Sequence, residues 1–169
     1  MKFFYLLIGL VIHTGLYSQT NSTKEIALRY MEAYGAWDFD TMKTFYADTV
    51  SFEDPTGTEA FKQTFSFQGK ENVYTFFKNV FKNRFQNNKP PYVHFTIEKS
   101  FFTETYAVIN STFECIIPTS WFDKNSNESI LIAIPFVTVL TIKDGLITKH
   151  IDYGNYTKYH EQIKAQMKK

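Results

Sequence analysis

FYADTVSFEDPTG, residues 45–57, is where the fold is decided, because one side chain in it is out of character. Read as a strand, TVSFED places Val50, Phe52 and Asp54 on one face and Ser51 and Glu53 on the other. A carboxylate therefore shares a face with two core-seeking side chains. Pro55 holds Asp54 in extended backbone and stops the strand. The acid needs either an inward space to face or a Pro-Thr-Gly turn to cap through its own side chain.

Upstream of this strand the chain is helical. Ser22 and Glu25 form a capping box, and Ile26, Tyr30 and Tyr34 recur every four residues, so one stripe carries Tyr30 and Tyr34 inward. Gly35 ends that helix, and Asp38 caps a second, shorter one whose inner side is Met42, Phe45 and Tyr46. Downstream, Val73, Phe76, Phe77, Val80 and Phe81 mark the strongest helix, after Gly69. KPP at 89–91 breaks the helical part, and long strands follow. Val93, Phe95 and Ile97 alternate with His94, Thr96 and Glu98. TYAVINSTFECIIP and SILIAIPFVTVLTIK flank the polar DKNSNES loop, and KDG at 143–145 turns tightly into LITKHIDY. YTKYHEQIKAQMKK reads as a terminal helix. Helices first and hairpin-connected strands afterwards imply an α+β domain with an antiparallel sheet.

Residues 1–19 have the layout of a signal peptide: Lys2, an apolar run from Phe3 to Ile12, then small and polar residues. The run is too short to span a bilayer. The expectation is a leader at 1–19, one domain at 20–169, a secreted or periplasmic location, and no membrane contact once the leader is gone. The chain has 18 basic and 17 acidic residues, and the leader removes Lys2 alone, so the two counts become equal. Without a basic excess, no nucleic-acid partner is expected. The single cysteine, Cys115, excludes an internal disulfide and reads as a buried thiol. With 18 Phe and 11 Tyr, either an aromatic-lined cavity or an aromatic core would fit the composition. His94, His150 and His160 have no ligand spacing on one helix or hairpin, so no metal is expected.

RYMEAYGAWDFDTMKTFYAD, the helix after Gly69 and the closing DGLITKHIDY resemble the nuclear transport factor 2-like superfamily. That resemblance implies a cone: a strongly curved antiparallel sheet wrapped around a pocket that the N-terminal helices close. It spans nearly the whole mature chain, and membership states a fold more firmly than a function. RY at 29–30, GAWD, AD and FEDPTGTE resemble the ketosteroid isomerases more closely, with matching spacing from Tyr30 to Asp54. The resemblance implies Tyr30 as oxyanion-hole donor and Asp54 as the base that shuttles a proton beside a carbonyl. An acid on the inner face of a cone points into a cavity. Where that family places a second donor, a protonated aspartate, this chain aligns Thr138, and FKQTFSFQ between Gly57 and Gly69 alters the rim.

On the last strand Thr148, His150 and Asp152 share one face, and Ile147, Lys149, Ile151 and Tyr153 the other. SnoaL-like cyclases carry a base near this position, so the resemblance implies Asp152 as a candidate with His150 tuning it. The apolar pair Ile147 and Ile151 argues for the opposite face being inward. Tyr34, Trp37, Phe52 and His150 are the expected substrate contacts, with core packing the alternative for Trp37 and for Trp121. The sequons at Asn21, Asn110, Asn127 and Asn155 matter only in a eukaryotic secretory pathway. Two functions fit: cofactor-free isomerase, cyclase or lyase chemistry on a small apolar carbonyl compound, or a non-catalytic binding or dimerisation module. A homodimer is what the resemblance implies for assembly.

Overall fold

The computed structural model describes residues 22–82, 92–126 and 128–167. The expected leader, Asn21, the KPP break and Asn127 lie outside them. Ser22 accepts a hydrogen bond from the Glu25 amide at 3.2 Å and opens α1 (Thr23–Gly35). Its buried stripe is Ile26, Ala27, Tyr30, Met31, Ala33 and Tyr34. Asp38 caps α2 (Phe39–Thr44) through the Thr41 amide. The strand of the opening question, β1 (Tyr46–Glu53), buries Tyr46, Val50 and Phe52.

Two elements follow that the sequence reading treated as turn and loop. Asp54 accepts from the Gly57 amide and opens α3 (Pro55–Phe61), with Pro55 in the first turn. β2 (Ser66–Gln68) then pairs with β1, Ser51 opposite Gln68. α4 (Lys70–Lys82) buries Val73 and Phe77 as expected and half-buries Phe76, whereas Val80 is exposed and the Phe81 side chain lies outside the described ones.

β3 (Val93–Phe102), β4 (Tyr106–Pro118), β5 (Ser129–Lys143) and β6 (Leu146–Gly154) complete a curved, unclosed six-stranded sheet in the order β2-β1-β6-β5-β4-β3. Pairing is antiparallel except between β1 and β6, which run parallel with Phe52 opposite His150. Asp144 and Gly145 both take positive φ, 50° and 78°, in the two-residue connection from β5 to β6. That backbone twist suits a tight hairpin and favours glycine at the second position. Register shifts fall between Ile97 and Lys99 in β3, and opposite Thr141 and Ile142 in β6, and such bulges bend the strands that carry them.

α5 (Tyr156–Gln166) begins at Asn155, whose side chain accepts from the Lys158 amide. β6 ends opposite Phe136, so the far end of β5 has an unpaired edge there. α5 covers it: Gln162 accepts from the Ala133 amide and donates to the Ala133 carbonyl, as a neighbouring strand would. Two apolar clusters result. One joins α1, α2 and α4 to β1 and to the ends of β4, β5 and β6 around Ile109, Leu140 and Ile147. The other joins Cys115, Ile117, Ile130, Ile132, Ile134 and Phe136 to Ile163 of α5.

Candidate active site

The space between the two clusters is left open. It is a cavity of about 260 Å³ whose wall draws Tyr34, Phe52 and Phe77 from the first cluster and Cys115, Ile134 and Phe136 from the second. Trp37, Phe76 and Phe113 add aromatic surface, and Phe61 and Tyr159 come from α3 and α5. Two carboxylates, Asp54 and Asp152, break this apolar wall.

Asp152 faces inward because of the bulge in β6. Lys149 pairs with Thr141 and Ile147 with Ile142, so Thr148 is the extra residue. An inserted residue reverses the alternation. Ile147, His150 and Asp152 are therefore all buried on the inner side, at 0%, 0% and 1% exposure. The apolar Ile147 and the polar pair stop competing for one face.

Three buried polar side chains converge on Asp152. Oδ1 accepts from the Thr138 hydroxyl at 2.7 Å and meets His150 Nε2 at 2.9 Å, and Oδ2 accepts from the Tyr34 hydroxyl at 2.8 Å. A carboxylate only accepts, so His150 Nε2 carries the hydrogen. Behind it, His150 Nδ1 meets the Tyr30 hydroxyl at 2.8 Å, and Tyr30 meets Tyr46 at 2.5 Å. In the neutral ring Nδ1 accepts from Tyr30, which accepts from Tyr46, and the chain of donors runs one way toward the cavity. Burial holds the hydroxyls of Tyr30, Tyr34 and Tyr46 protonated by raising their pKa values well above the usual 10.0.

Asp54 both faces the inward space and caps the Pro-Thr-Gly turn. Its Oδ1 accepts from the Gly57 amide at 2.6 Å and the Thr56 hydroxyl at 2.8 Å, which caps α3. Its Oδ2 accepts from the Tyr156 hydroxyl at 2.5 Å, which ties α3 to α5 across the cavity. A Cβ on Gly57 would lie 2.7 Å from that Oδ2, so only glycine leaves room for the cap. Burial raises the Asp54 pKa above its usual 3.8, and these three donors oppose the rise. A raised native pKa means the folded chain holds this proton more tightly than the unfolded one. The stability this contributes is complete below 3.8 and is lost as pH rises through the native value. The expected result is an Asp54→Asn variant that gains on the parent protein, in urea midpoints, as pH climbs out of the acidic range. A constant difference between the two across that range would contradict it.

Of the residues picked out from sequence, Asp54, Asp152, Tyr34, Trp37 and Phe52 line the cavity. Tyr30, Thr138 and His150 are buried one layer behind the wall, holding Asp152 directly or through His150. The tyrosine hydroxyl at the wall is that of Tyr34, one turn further along α1. Tyr156 and the β-strand aromatics Phe113 and Phe136 were missed. Asp-Pro is a helix-start signal, N-cap then proline, that reveals α3 in retrospect. No local signal shows that Tyr156 returns to Asp54. Among the described residues, no group of three or more His, Cys, Asp and Glu side chains could hold a metal ion.

A family model described as the SnoaL-like domain matches residues 27–150. Among solved structures, a candidate SnoaL-like polyketide cyclase from Shewanella putrefaciens is 21% identical with TM-score 0.70, over 97% of this chain and 99% of that one. A protein of ketosteroid isomerase-like fold from Catenulispora acidiphila, solved with trimethylamine, is 19% identical with TM-score 0.61, over 83% and 93%. A candidate polyketide cyclase from Xanthomonas campestris is 16% identical with TM-score 0.62, over 83% and 95%. At these identities the likeness is one of fold. No curated protein matches the chain.

Proposed function

The chain belongs to the SnoaL-like domain family, and from that premise we propose that it is an acid–base enzyme of the isomerase or cyclase type. Its substrate is a small, largely apolar carbonyl compound. Asp152 is the base that takes a proton from the carbon beside the carbonyl. As Asp152 takes that proton, the Tyr34 hydroxyl turns from it to donate to the oxygen on which negative charge develops, and Asp54 with Tyr156 faces the same space as a second place for the proton.

The observation that carries this reading is Asp152 itself. It is a carboxylate 1% exposed, on the wall of an aromatic cavity, with a tyrosine hydroxyl on one of its oxygens. A positioned carboxylate in a water-poor space is suited to taking a proton from carbon. One observation favours a non-catalytic binding module instead. Each acid already accepts three hydrogen bonds from the protein, so both oxygens of each are engaged before any substrate arrives.

Deuterium incorporation separates the two. The protein is incubated in D2O with a panel of enolisable ketones, and exchange at the α-carbon is read by proton NMR. Exchange above the buffer rate for at least one ketone, lost in Asp152→Asn, is the expected result. No exchange across the panel, with planar phenols still binding in the cavity, would sink catalysis and leave the module.

A further inference from the structure

The charge of the cavity wall narrows what enters it. Two acids line the space, and among the described residues that line it there is no lysine, arginine or histidine. Each acid is surrounded only by donors. Asp152 receives Tyr34, Thr138 and His150, and Asp54 receives the Gly57 amide and the Thr56 and Tyr156 hydroxyls. Three hydrogen-bond donors around each acid suit a carboxylate, which only accepts. Asp54 faces the cavity with no cation among the described residues that line it. Negative charge next to an apolar cavity is costly unless something positive meets it. The remaining wall is aromatic, with Trp37, Phe52, Phe76, Phe113 and Phe136 among its rings, and ring faces attract cations.

We infer that the molecule taken up by this cavity is a small organic cation, a protonated or quaternary amine on an otherwise apolar body. The inference rests on the reading that this cavity is the working site, and it deepens that reading. A carbonyl compound bearing an ammonium group presents its positive end to Asp54 and the rings, and the C–H between ammonium and carbonyl is more acidic than in a plain ketone. An anionic substrate is excluded by the same wall. The neutral state of a plain ketone gains nothing from it beyond burial.

Three soluble molecules of nearly one shape test the charge alone: choline, 3,3-dimethylbutan-1-ol and 3,3-dimethylbutanoate. Binding of each to the full chain is measured by calorimetry or saturation-transfer NMR. Choline is expected to bind about tenfold or more tighter than the neutral alcohol, with the carboxylate weakest. Asp54→Asn keeps an N-cap side chain on α3, and it should shrink the preference for choline while leaving the alcohol little changed. If the alcohol equals or exceeds choline, the cavity takes apolar molecules without regard to charge. The cation is then wrong, and the deuterium exchange experiment still judges the chemistry on its own. If none of the three binds, the inference fails outright.

Discussion

Asp152→Ala is expected to destabilise the fold by about 3–5 kcal/mol, read as a shift of the urea unfolding curve. The aspartate is the common acceptor for three buried donors, the hydroxyls of Tyr34 and Thr138 and the His150 ring. Alanine leaves all three facing an apolar wall, and each unsatisfied buried group costs about 1–3 kcal/mol before any relaxation. Asp152→Asn keeps one oxygen and the shape, so its cost falls to about 1–2 kcal/mol. It can no longer accept a proton from carbon, and exchange activity should drop by about 10²–10⁴-fold. The fit control lies on the same strand. Lys149 and Glu53 form an ion pair at 3.2 Å with both side chains more than a third exposed, and Lys149→Ala should cost about 1 kcal/mol or less. An Asp152→Ala protein as stable as Lys149→Ala would remove the network from any account of this fold.

Phe77→Ala should lose about 3–5 kcal/mol. The ring is 2% exposed and sits where α4 meets α1, α2, β1 and β6. It packs against Phe52 at 4.8 Å, Phe76 at 5.2 Å, Tyr34 at 5.5 Å and Phe39 at 5.9 Å between centroids, and stacks on His150 at 6.0 Å. The position also lines the cavity, so the hole left by the ring merges with existing space instead of closing. Neighbours have little means to collapse into it, which keeps the cost near that of a large core truncation. Val80, one turn along α4 and 37% exposed, lines the same cavity, and Val80→Ala should cost about 1 kcal/mol or less. Equal losses at the two positions would mean that the helix, not the ring, sets the stability. An apolar ligand that restores part of the Phe77→Ala loss would show the enlarged space being refilled.

What could be read from sequence here was whatever repeats locally. The stripes of α1 and α4, the Asp38 cap, the Asp144–Gly145 hairpin and the alternation of β5 all state their own geometry over a few residues. α3 was hidden because Asp54-Pro55 serves equally as the end of a strand and the start of a helix. Choosing between them requires knowing that Gly57 donates to the carboxylate. Period-two reading failed on β6 for a related reason. A single bulge at Thr148 places Ile147 and His150 on one side, and only pairing with β5 and β1 exposes it. The acids of the cavity wall were found because carboxylates stand out in apolar strands. Their partners were harder. Tyr30 and Tyr34 lie on one helical face, and which hydroxyl reaches the cavity depends on Tyr46 and His150, far away in the chain. Tyr156 meets Asp54 only because α5 folds back over the uncovered edge of β5.

The parallel pairing of β1 with β6 has a consequence for how the protein is made. β1 is synthesised before β2 to β5, and β6, the strand that must lie beside it, only after them. Until then the early helices and β1 hold one edge without a neighbour, and contacts so distant along the chain form slowly. His150 and Asp152 belong to that later strand, so a nascent fragment that stops before β6 contains no finished cavity. The site is completed only once β6 has been synthesised.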